Sequence, residues 1–343
     1  MKPFRLLPLL LIALALGGAF LAGRQWLHNS MAAPGPHAQS VRLTVASGEA
    51  LKAVLNELAQ QGALRDARAV ELSLRAERRS PIVRAGHYEI APHASPNDIL
   101  AQLGAGRVVL ESLTVVEGSR FHDLRRTLEK HPQVAQTLRG RSDAEVMAAI
   151  GHAGEHPEGR FFPDTYRFAA GSSDRELLQL AYRQMNDTLT RSWQSRAADL
   201  PLHNSYQALV LASVIEKETA VARERPQIAG VFTSRLRRGM RLQSDPTIIY
   251  GLGDAYDGDI RSKDLQTDGP YNSYTRDGLP PTPIALPGAA AIEAALHPLE
   301  DGSLFFVATG SGDGSHVFTK DYAAHQAAVR RMLQGQRSRG LIH

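Results

Sequence analysis

Glu218 lies in the stretch Ala212-Ser213-Val214-Ile215-Glu216-Lys217-Glu218-Thr219-Ala220, and an acid in that setting could donate a proton. Three, four and seven positions before it stand Ile215, Val214 and Leu211. At 3.6 residues per turn these share one face of a helix with Glu218. A carboxylate is costly to ionise on an apolar face, so its pKa is expected to rise. A carboxylic acid that keeps its proton near neutrality is what cleavage of a glycosidic bond needs as general acid.

Glu216 lies two residues away, about 200° around the same helix, so the two acids cannot face one cleft. A paired-carboxylate site made from these two alone is excluded. The competing reading of Glu-Lys-Glu is a solvated helix end with alternating charge. Tyr271-Asn272-Ser273-Tyr274 could present hydroxyls, an amide and aromatic faces to a sugar, or simply pack a loop. Other patterns carry less. Gly104-Ala105-Gly106 and Ser311–Gly314 lack the Gly-Lys-Ser/Thr of a phosphate loop, no histidines fall in HExxH spacing, and no serine sits in a Gly-x-Ser-x-Gly elbow. His297 and His325 read as capping or packing residues. Asp164 beside Pro163, and Asp245 before Pro246, read first as turn or cap residues.

The elements that must hold these groups follow from periodicity. A strand–turn–helix pattern recurs three times: strand 41–45 with helix 49–58, strand 88–90 with helix 96–103, and strand 113–116 with helix 120–128. Ser95 and Pro96 form the expected helix start of the second. With a helix over 66–75, the first two units predict a small βααβ module, either a spacer or a glycan-binding unit. Further on, helices are expected over 174–193, 206–218 and 226–238. A proline-rich ordered loop is expected over 271–288, a hairpin over 303–308 and 316–318, and a last helix over 322–333. The segment 158–168 reads as aromatic and turn-rich. The fold class is therefore α+β.

The chain of 343 residues has room for more than one domain. Its net charge of +4 mildly favours anionic surroundings. That charge is too dispersed to indicate nucleic acid. The absence of cysteine excludes thiolate catalysis, cysteine-ligated metals and disulfides. Lys2 and Arg5 precede an apolar run from Leu6 to Gly23, followed by Arg24, Trp26 and His28. About 18 apolar residues suffice to cross a bilayer core. The flanking charge predicts the N-terminus inside and the bulk of the chain outside. A cleaved signal peptide is the alternative. The expected organisation is a cytoplasmic stub and transmembrane helix over 1–28, a linker over 29–40, the small module over 41–110, an α-rich mixed domain over 111–334 and a flexible tail over 335–343.

Four long segments occur in order: EGRFFPDTYRF (158–168), IEKETAVARER (215–225), VFTSRLRRGMRLQSDPTIIYGLG (231–253) and PYNSYTRDGLPPTPIALPG (270–288). With the tail segment 294–325, they make the chain resemble the endolytic murein transglycosylases of the YceG-like (MltG) family. The resemblance implies a single-pass inner-membrane protein with a periplasmic LysM-like module and a catalytic domain. It implies cleavage within peptidoglycan glycan strands to leave 1,6-anhydro-N-acetylmuramic acid ends, a lyase reaction without metal or organic cofactor. The family's catalytic acid matches Glu218. A hydroxyl residue directly after the acid, seen in related transglycosylases, matches Thr219. On this reading Gln243, Ser244, Tyr271, Asn272 and Tyr274 are candidates for holding N-acetyl groups and hydroxyls. The family role also implies partnership with a peptidoglycan synthase in ending nascent strands. Two alternatives remain: a non-catalytic peptidoglycan-binding scaffold, and a hydrolase of the lysozyme type.

Overall fold

The computed structural model describes residues 6–46 and 48–339. Lys2 and Arg5, on which the expected orientation rests, lie outside the described residues, as do Ser47 of the first turn and the last four residues of the tail. The chain forms two compact units. One runs up to Glu111 and takes in Arg167–Gly171; the other comprises Ser112–Tyr166 and Ser172 onward.

The first unit contains α1 (Leu6–Ala32), β1 (Val41–Val45), α2 (Leu51–Gln60), α3 (Ala67–Ala76), β2 (Gly86–Ile90) and α4 (Pro96–Ala105). β1 and β2 pair antiparallel, Val41 opposite Ile90 and Val45 opposite Gly86. Alternation sends Leu43, Val45, Tyr88 and Ile90 inward, onto Val54, Leu55 and Leu58 of α2, Val70 and Leu74 of α3, and Ile99 and Leu103 of α4. Burying each such side chain stabilises by about 1.5–3 kcal/mol. The helices start where local chemistry dictates. Asp66 accepts from Arg68 N at the head of α3. Ser95 and Asp98 form a reciprocal capping box before Pro96.

The junction and second unit continue with β3 (Leu110–Thr114), α5 (Phe121–Lys130), α6 (Asp143–Ala149), β4 (Thr165–Ala169), α7 (Asp174–Gln194), α8 (Ser205–Glu218), α9 (Arg225–Arg237), α10 (Asp245–Leu252), α11 (Ser262–Gln266), α12 (Ala289–Leu296), β5 (Phe305–Ala308), β6 (His316–Thr319) and α13 (Tyr322–Ser338). β3 pairs with β4, and β5 with β6. The fold is mixed α+β. At its centre lies α8, in which every residue from Ala208 to Ile215 is buried. It packs among α7, α9, α10 and α12. A helix apolar on all sides has to be surrounded.

Several expectations are corrected. The third strand lies at Leu110–Thr114 rather than 113–116, and the segment read as turns contains β4. The tail expected to loosen after Gln334 continues α13 to Ser338. The expected apolar stripe on α8 is really an all-round apolar surface. Among the described residues, no helix is long and apolar enough to cross a membrane. In α1, side chains 6–10 and 13 lie outside the described set. The apolar run of α1 ends at Gly23, before Arg24, Gln25 and His28.

Candidate functional site

The site grows from the C-terminal end of α8, where the buried helix reaches solvent. Glu218 is its last residue and is half-buried. Burial is the largest cause raising its pKa to about 8, and the negative charge of Asp245 adds to it; Ser244 and the Arg235 guanidinium act in the opposite sense. Ser244 Oγ is fully enclosed and has no hydrogen-bond partner of normal geometry. Among the described residues Glu218 forms no ion pair. The arrangement gives an acid that holds its proton at neutral pH, with a second carboxylate close enough to be felt.

Glu216 points elsewhere and is not solvated. Its side chain is 6% exposed and pairs with Arg225 at 3.2 Å. Its other oxygen accepts from Gly288 N at 3.0 Å. Lys217 donates to Gly118 O. Thus the helix end read as a possible charged surface pattern is anchored through Glu216 and Lys217, and among the described residues Glu218 has no ion partner.

α10 and the 270–288 loop complete the surroundings. Ser244 N donates to Ser273 Oγ at 2.9 Å, and Gln243 N to Ser273 O. Asp245 opens α10, with Pro246 in the first turn, so this pair starts a helix rather than making a free turn. Tyr274 donates its hydroxyl to Asp245 Oδ1 at 2.5 Å. The loop is tied to α8 by Ile284 N, which donates to Ser213 Oγ at 3.0 Å.

The structure spends several candidate side chains on the protein itself. Asn272 is buried, its amide donates to the carbonyls of Asp264, Leu265 and Thr267, and its oxygen accepts from Tyr274 N. Thr219 is buried, with its hydroxyl accepting from Val221 N. The Tyr271 hydroxyl pairs with Thr282 Oγ1. Gln243 is exposed, holds a left-handed φ of 51°, and its side chain accepts weakly from Arg235 at 3.4 Å. Of the candidates, Ser244 and Tyr274 therefore lie nearest to the acid's electrostatics, while Asn272 and Thr219 shape the backbone.

Three residues were missed in the sequence. Arg235 is buried on α9, donates to Leu304 O and Leu242 O, and lies over the Phe305 ring. It was hidden within the basic run Arg235–Arg238, which reads as a solvated helix end. Asp245 was masked by its turn-like Asp-Pro context. Glu158, buried at 5% exposure, accepts from Phe121 N at 2.9 Å and Tyr250 OH at 3.2 Å. Burial pushes its pKa up to about 7, against those hydrogen bonds and the Arg120 charge. It stands in a cavity of about 410 Å³ lined also by Arg120, His156, Tyr250 and Tyr271. A Cβ on the adjacent Gly159, where φ is +79°, would meet Pro283 at 2.5 Å, so glycine lets the 158–168 segment close on the loop. Among the described residues no group of three or more histidines and acids could hold a metal.

Comparison with known proteins supplies an independent line. The family model described as YceG-like matches residues 43–331. An endolytic murein transglycosylase of Bacillus subtilis (strain 168) is 27% identical over 340 residues, 94% of this chain and 92% of that protein. One from Streptococcus pneumoniae serotype 2 is 27% identical over 260 residues, 66% of this chain and 46% of its own. A crystal structure of a yceG-like protein from Listeria monocytogenes superposes with a TM-score of 0.52 at 26% identity, covering 84% of this chain and 99% of that one.

Proposed function

The chain belongs to the YceG-like family, and from that premise we infer that it is a murein lytic transglycosylase, a lyase, with Glu218 as its acid. The observation that carries the reading is a single carboxyl group, on the rim of a buried helix, whose pKa is raised to about 8 by burial and by Asp245. Glu218 in its acid form donates its proton to the oxygen of the bond between N-acetylmuramic acid and N-acetylglucosamine. As that bond breaks, positive charge develops at the anomeric carbon. The Glu218 carboxylate then takes the proton of the same sugar's 6-hydroxyl, whose oxygen closes on the anomeric carbon. No water is consumed, and intramolecular attack replaces the second catalytic group. Tyr271, Tyr274 and Gln243 flank the sugar path, Ser244 stays enclosed beside the acid, and Thr219 and Asn272 hold the backbone that carries them.

Cleavage of internal bonds in glycan strands is supported by the relatives from Bacillus subtilis and Streptococcus pneumoniae, which are named endolytic murein transglycosylases. The reading extends to a protein anchored in the inner membrane through residues 6–23, with its bulk in the periplasm, a LysM-like first unit against the glycan, and a synthase as neighbour. The βααβ order of β1, α2, α3 and β2 supports the module.

A second reading has one observation in its favour. Asp245 is a second carboxylate close enough to raise the Glu218 pKa, as a hydrolase of the lysozyme type would have. Products decide between them. Glu218→Gln is expected to keep the fold and lower release of anhydro-ended fragments from purified glycan strands by about 10²–10⁴-fold. Full activity in that variant would remove the assignment. Fragments heavier by one water, about 18 Da, would favour the hydrolase.

A further inference from the structure

The first unit carries a surface that the proposed catalysis does not use. Residues 65–84 hold six arginines, at 65, 68, 75, 78, 79 and 84, against three acids, Asp66, Glu71 and Glu77. This short segment accounts for most of the net +4 of the chain. Its helix, α3, packs against α1. The start of α3 shares a cavity wall with Asn29 and Ser30, and its end lines a groove with Phe20, Leu21 and Arg24. Ser73 Oγ donates to Leu27 O at 3.3 Å, and Glu77 approaches His28 at 3.9 Å. The end of α3 thus shares one groove with the stretch of α1 from Phe20 to His28.

That level mixes two chemistries. Phe20 is 70% exposed, Trp26 61% and Leu72 of α3 55%. Arg24, Arg75, Arg78 and Arg79 are exposed among them. Arg75 and Arg79 are each paired with one carboxylate, Glu71 and Glu77, while Arg24 and Arg78 form no ion pair among the described residues. Apolar side chains beside uncompensated guanidinium groups match the boundary of an anionic bilayer, where aromatic rings sit at headgroup depth and basic residues meet phosphate.

We propose that the C-terminal end of α3, with the adjoining turns of α1, is a seat on an anionic phospholipid surface. Arg24, Arg75, Arg78 and Arg79 face the lipid phosphates, and Leu72, Phe20, Leu21 and Trp26 enter the interfacial layer. This rests on the membrane association proposed above and adds a second, peripheral contact to it. The unit then lies flush on the bilayer instead of hanging from a free helix.

Because the chain has no cysteine, single-cysteine labelling of the full chain is unambiguous. The protein would be reconstituted in vesicles of phosphatidylcholine, with or without phosphatidylglycerol, carrying a headgroup-attached quencher. A fluorophore at Leu72→Cys is expected to be quenched in phosphatidylglycerol vesicles. One at Glu89→Cys, on the exposed side of β2, is expected to stay bright. Replacing Arg75, Arg78 and Arg79 together by Gln should bring the signal at position 72 to that at position 89, while a label at Leu21→Cys remains quenched. Quenching at position 21 without quenching at 72 overturns the seat but leaves the α1 anchor. A bright label at position 21 overturns the membrane association itself, whatever the catalytic activity.

Discussion

At the scale of single residues, two neighbours pull the Glu218 proton in opposite directions, and each can be removed alone. Asp245 raises the pKa of the acid and Ser244 lowers it. Activity that needs the acid form falls as pH rises through about 8. Asp245→Asn should move that alkaline limb down by about one pH unit, and Ser244→Ala should move it up. The check is a pH profile of kcat/KM on defined glycan strands; shifts in the same direction would break the electrostatic account. Glu216→Gln tests the other acid. It weakens a buried pair with Arg225 and is expected to cost about 3 kcal/mol in denaturant unfolding. Well below its melting temperature the variant should retain substantial activity and the same pH limb.

At the scale of elements, the site depends on how tightly α8 and α9 are wrapped. Gly230 on α9 is the clearest point: an added Cβ would lie 2.0 Å from the Leu299 backbone oxygen. Gly230→Ala should destabilise the protein by roughly 3 kcal/mol, read from denaturant midpoints, because backbone on both sides must shift. The regular helices α3, α4, α7, α8 and α9 were legible in the sequence to within a residue or two. Each carries a dense set of apolar residues, and α3, α4, α7 and α8 add a side-chain cap. α6, α10 and α12 were not: each is eight residues or fewer, and proline or alanine-rich context hid the period. Glu218 was singled out because its own helix pointed to it. Arg235, Asp245 and Glu158 were not found, since what makes them matter is contact across 27 to 92 residues of sequence. Glu158, for example, meets Tyr250 across 92 positions.

At the scale of the whole molecule, two acids are held at raised pKa by burial, Glu158 at about 7 and Glu218 at about 8. For such groups the native state binds protons that the unfolded chain has already released. Their contribution to stability is full below the ordinary carboxylate pKa, and it is lost as pH climbs through about 7 and then about 8. Thermal midpoints should therefore fall from pH 5 to pH 9 on their account. Glu158→Gln should flatten the first part of that decline; an unchanged slope would show that Glu158 is not held protonated. The division into two units makes the decline local to the larger one, since both acids belong to it.

The way α8 is enclosed has one more consequence. A proton donor on the tip of a rod locked by four neighbouring helices has almost no freedom to swing toward its target. Adaptation must come from the polymer, which has to bend, slide or tilt until its bridging oxygen meets a stationary tip.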